Sequence, residues 1–141
     1  MTQEEKQLLL IDLCGRLPYG IKMSNINAIH NGLDLPPFTI DISDYETSNP
    51  LIIINSWLLP HLRPMSSMTE EEYKEFSKIS GLLKSKEDNY FSNHLPEWGN
   101  SIITEKVMVR TIDWLNSHYF DYRGLIPMGL ALEAPEGMYN Y

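Results

Sequence analysis

Hydrophobic positions change period twice along this chain. At the start, Thr2 and Glu5 stand at the spacing of a reciprocal N-terminal cap. Leu8, Leu9, Ile11, Leu13 and Cys14 follow. That set is wide, and it predicts a short, substantially buried helix over 3–14, with Gly15 ending it in a left-handed conformation. From Pro18 to Pro64 the period shortens to two. Ile21, Met23 and Ile26 are apolar while Lys22 and Ser24 are polar, and Phe38, Ile40 and Ile42 alternate with Thr39 and Asp41. Leu51 to Ile54 is an unbroken apolar run that reads as a central strand. His30-Asn31-Gly32, Pro36-Pro37 and Ser48-Asn49-Pro50 separate these pieces as turns, so the strands lie within 20–64. Pro60 and Pro64 count against a central strand over Trp57 to Pro64, which is expected to be an edge segment or one 3₁₀ turn.

The helical period then returns. Thr69 and Glu72 form a second capping box, with Glu70 to Glu72 in the first turn and Tyr73, Phe76, Ile79 and Leu83 on one face. This predicts a helix over about 70–83. Residues 84–100 read as a loop, with Trp98 covering the edge of the core. Met108, Ile112, Leu115 and Tyr119 mark another helix over about 104–119. In the tail, 121–141, Pro127 and Gly129 oppose a helix, and its apolar residues favour docking on the body. The expected class is α+β in one domain, 1–141. A small antiparallel β-sheet or SH3-like barrel from about 18–64 packs with the N-terminal helix and two further helices.

Charge sharpens this picture. The 141 residues carry 19 Asp and Glu against 11 Lys and Arg, a formal charge of -8. Between Lys22 and Arg63 there is no Lys or Arg, while Asp34, Asp41, Asp44 and Glu46 lie there. Asp41, Asp44 and Glu46 are therefore candidate contacts for a basic protein partner. Nucleic acid is disfavoured, because displacing its counterions needs clustered cations. A basic patch would have to be assembled from Arg16, Lys22, Arg63, Arg110 or Arg123. The acidic start and the absence of an apolar run of ~20 residues give no signal peptide and no membrane span, and place the protein in the cytosol. The lone Cys14 excludes an internal disulfide and reads as a small core residue.

Catalytic signatures are missing. His30, His61, His94 and His118 include no pair at the spacing of a helical metal site, so no metal and no cofactor are expected. Ser66-Ser67 lacks a nucleophile elbow, and no glycine-rich phosphate loop occurs. No residue is nominated as catalytic. His118, with Asp113 and Asp121, has the composition of a His–carboxylate pair, and also sits where a cation would cap its helix. Arg123, beside Asp121 and before the apolar tail, either ties the tail down or contacts an anion or partner. The reading is a small acidic, non-enzymatic protein-interaction module. The alternative is a small enzyme or ligand-binding protein with its site near His118, Asp121 and Arg123.

Three stretches also carry a resemblance: Leu10–Lys22, Arg63–Glu72 and Asp113–Tyr139. Together they resemble small uncharacterised proteins encoded by gut Bacteroides and their phages and prophages. The resemblance implies a bacterial or phage-encoded protein working in the bacterial host cytosol. It carries over no activity and no catalytic residue.

Overall fold

The computed structural model describes residues 1–42, 49–80 and 97–139, without the side chains of 51 and 97–105. Its contacts gather into two compact units, Met1–Met65 with Asn116–Tyr141, and Ser66–Leu115. The class is α+β.

In the first unit, α1 (Gln3–Arg16) opens on the expected capping box. Thr2 Oγ1 accepts from Glu5 N–H at 3.1 Å and Glu5 Oε2 accepts from Thr2 N–H at 2.7 Å. Gly15 does not end the helix. It lies inside it, where a Cβ would come within 2.8 Å of the Asn116 amide. The chain turns instead through a 3₁₀ turn (Leu17–Tyr19) and Gly20, at φ +73°. Cys14 is exposed, not buried in the core. The inner face of α1 is Leu9, Asp12, Leu13 and Arg16, spaced at i, i+3, i+4 and i+7, so two charged residues occupy positions that the apolar count gave to Ile11 and Cys14.

β1 (Ile21–Asn25) follows, then α2 (Ile26–His30), capped by Asn25 Oδ1 accepting from Ala28 N–H. β2 (Phe38–Ile40) pairs antiparallel with β1, Ile21 opposite Ile40. Leu51 to Ile54 is not a strand. It lies in α3 (Pro50–Asn55), whose second and third free N–H groups bond to Asn49 O. Asn-Pro is the pair that favours N-cap and N1, and this start signal outweighs β-branching. β3 (Leu58–Leu62) is interior, between β1 and β4 (Leu132–Glu133).

Pro60 is tolerated there for a geometric reason. Leu62 O accepts from Ala134 N–H, so Leu62, and by alternation Pro60, turn their backbone groups towards β4. The β4 pairing starts only at His61, and Pro60 sits opposite Met23, so the missing N–H removes no bond to β1. Among the described residues the sheet, in order β2-β1-β3-β4, is open and does not close into an SH3-like barrel. It is mixed rather than wholly antiparallel, because the tail supplies β4 parallel to β3. Its core joins Leu9, Leu13 and Leu17 to Ile21, Met23, Ile40, Ile53, Leu59 and Leu62, with Leu125, Leu130 and Ala131 from the tail.

In the second unit, α4 (Glu70–Ser80) begins on the expected capping box, Thr69 and Glu72 exchanging bonds of 3.0 and 3.2 Å. α5 (Glu97–Ser117) starts at Glu97 rather than Thr104, because one Gly99 costs a helix only about 1 kcal/mol, too little to stop it. Trp114 donates to Glu75 at 3.1 Å and its ring meets Phe76 at 5.5 Å, joining α4 to α5. The loop expected over 84–100 lies outside the described residues as far as 96, and so does the side chain of Trp98.

Candidate functional site

A polar cluster lies between α1 and the start of the tail. Asp12 and Arg16 are both wholly buried. Arg16 donates twice to Asp12, Nε at 2.7 Å and Nη2 at 3.0 Å, and Nη2 also donates to Phe120 O at 2.8 Å. Its Nη1 is buried without a partner among the described residues. Arg123, with its side chain 30% exposed, approaches the same carboxylate, Nε to Asp12 Oδ1 at 3.4 Å. Both guanidinium groups stand 5.2 Å from the Tyr122 ring, whose hydroxyl donates to Asn116 Oδ1. Arg123 therefore ties the tail to the body through Asp12, not through Asp121. Arg16 is enclosed and Arg123 is drawn to the same single carboxylate, so neither is free to join a surface basic patch, although one acid faces two cations here.

His118 and Asp121 are not brought together as acid and base. The Asp121 carboxylate accepts from Leu125 N–H at 2.7 Å and Ile126 N–H at 2.9 Å, which fixes the tail's first turn. His118 Nδ1 is within 3.0 Å of Ser117 Oγ, and Asp113 is exposed on α5. Asp41 lies just beyond β2, half-buried and in contact with a neighbour. Asp44 and Glu46 lie outside the described residues.

A Ser–His pair was not foreseen. Ser24 Oγ and His61 Nε2 are 2.7 Å apart, both buried. Ser24 is opposite Leu59, so the two residues meet diagonally across β1 and β3. Burial pushes the imidazole below its usual 6.5, and Lys22 adds to this, against a raising contribution from the Glu133 backbone. Among the described residues His61 Nδ1 makes no hydrogen bond. The distance suits an activated hydroxyl, but substrate needs access to the oxygen and Ser24 is enclosed. The pair is a buried polar fastening between strands.

Where the β1–β3 ladder would continue past Met23 and Pro60, the Tyr139 hydroxyl intervenes. It accepts from Lys22 N–H at 3.1 Å and donates to His61 O at 2.7 Å. The Tyr139 ring stacks on Tyr119 at 3.7 Å, and the Tyr119 hydroxyl donates to Tyr19 O.

Surface apolar groups collect elsewhere. Ile29, Leu33, Leu35, Phe38 and Ile42 are all exposed, Ile42 to 65%. They run from α2 through β2, and among the described residues β2 pairs only with β1, leaving its other edge open. Among those residues there is no group of His, Cys, Asp and Glu able to hold a metal ion, and no helix long and apolar enough to cross a membrane. Comparison of the chain with protein-family models, curated proteins and solved structures returns no match.

Proposed function

We propose that this chain is a small acidic, non-enzymatic protein-interaction module, bacterial or phage-encoded and working in the host cytosol. Its partner is a protein segment carrying both basic and apolar side chains, docked along the segment from α2 to Glu46. The observation that supports this best is the exposed series Ile29, Leu33, Leu35, Phe38 and Ile42 beside the open edge of β2. A stretch of that kind is costly to leave in water and invites strand or helix addition. Its charge selects the partner: from Met23 to Leu62 there are four acidic residues and no Lys or Arg. Protein is favoured over nucleic acid because the cations are scattered, with Arg16 buried against Asp12 and Arg123 drawn to the same carboxylate. A catalytic reading at His118, Asp121 and Arg123 gains no support from side chains occupied with the tail and its neighbours.

The test is charge reversal, Asp41→Lys with Asp44→Lys and Glu46→Lys, read as capture of a partner from nuclease-treated bacterial lysate at rising salt. The reading predicts that capture by the wild type weakens with salt and is lost in the triple variant. Capture unchanged in amount and salt response would place the partner elsewhere.

A further inference from the structure

The first unit holds a groove of about 450 Å³, apart from the exposed series on α2 and β2. Its lining is polar and apolar in nearly equal parts, the apolar part coming from Ile26, Ile54, Trp57, Leu58, Met128 and Leu130. That volume lies within the range that encloses a small organic molecule. Trp57 is held in the left-handed region at φ +59°, between α3 and β3, and its carbonyl accepts from Ile26 N–H at 3.0 Å. Keeping a non-glycine residue there costs energy, and such strain gathers at binding sites. The result is an indole 65% exposed at the groove.

The polar side chains of the groove, Glu5, Lys6 and Asn55, differ in how they are engaged. Glu5 turns its carboxylate back to Thr2 N–H in the cap of α1. The Lys6 side chain, half-buried beside it, makes no ion pair or hydrogen bond among the described residues; only its backbone N–H is bonded, to Thr2 O. An unpaired ammonium beside the apolar side of this groove, near the start of a helix, favours a ligand with one negative charge and an apolar body. We propose that this groove binds a small apolar anion, a monocarboxylate with an aliphatic or aromatic body. The body packs on Trp57, Leu58 and Met128, and the carboxylate pairs with Lys6. The site uses none of Asp41, Asp44 or Glu46, so it stands or falls apart from the docking surface.

Titration with sodium decanoate below its micellar range, followed by amide ¹H–¹⁵N shifts of the full chain, tests this. Decanol is the uncharged control. Saturable shifts should be confined to Lys6, Ile26, Asn55 to Leu59 and Met128 to Leu130. Lys6→Gln should weaken binding about ten-fold, Lys6→Arg should keep it, and decanol should bind about ten-fold less tightly than decanoate. Trp57→Gly, which suits the backbone at that position, should stay folded and lose binding. The spectrum of each variant reports its folding directly. Absence of saturable shifts, shifts centred elsewhere, or equal binding of decanol and decanoate would each overturn the assignment. So would undiminished binding by folded Lys6→Gln.

Discussion

Removing one charge from the Asp12–Arg16 pair leaves the other inside the protein without its counterion. Asp12→Ala should therefore destabilise the chain by about 3–5 kcal/mol in urea denaturation. Arg123→Ala should cost under about 1 kcal/mol, since its approach to Asp12 is longer and partly solvated. His61 gives a pH signature. Its folded value lies below 6.5, so the unfolded chain binds a proton more readily. That contribution to stability is fully present above pH 6.5 and is lost as pH falls, until the folded imidazole itself protonates. Wild-type stability should drop more steeply than that of His61→Gln as pH falls below 6.5. Parallel curves would remove the buried neutral imidazole from the account. At this scale the sequence was partly legible. Asp12 and Arg16 are i and i+4 on one helix, and their pairing could have been read from spacing alone. The meeting of Ser24 with His61 depends on strand register, which no local pattern carries. Arg123 as a tie for the tail was legible, but its partner, far away in the chain, was not.

The elements are joined by a few long-range polar contacts as well as by the core. Tyr139 is the clearest case, since its hydroxyl takes the place of a ladder bond between Lys22 and His61. Tyr139→Phe leaves a backbone donor and a backbone acceptor unmatched, at a cost of about 1–3 kcal/mol. Hydrogen exchange at the Lys22 amide should quicken in that variant. Unchanged protection would mean that the strands close without the hydroxyl. Both capping boxes were legible as elements because the residues that make them are three apart. The strand assignment failed at Leu51 to Ile54 because Asn49-Pro50 starts a helix there, while the β-branched run only suggests a strand. It failed at Leu58–Leu62 for a different reason. A proline is excluded from an interior strand only where its N–H would be needed, and Pro60 faces a ladder that begins one residue later. β4 could not be foreseen, since a two-residue strand exists only through its partner.

At the scale of the whole molecule, a segment without Lys or Arg, 23–62, also carries the exposed series Ile29, Leu33, Leu35, Phe38 and Ile42. The formal charge of -8 opposes self-association, and on the proposed reading the cation-free stretch gives that charge a local preference for basic partners. The α+β class was legible from the two changes of period. The open, mixed sheet was not, because the tail completes it from the far end of the sequence. The direct test compares capture from one nuclease-treated bacterial lysate by three baits: the wild type, the reversal of Asp41, Asp44 and Glu46, and Lys6→Gln. The account predicts one stoichiometric protein partner held by the wild type and by Lys6→Gln, and lost by the charge reversal. Retention by the charge-reversed chain, or loss from every bait once nuclease is added, would contradict it.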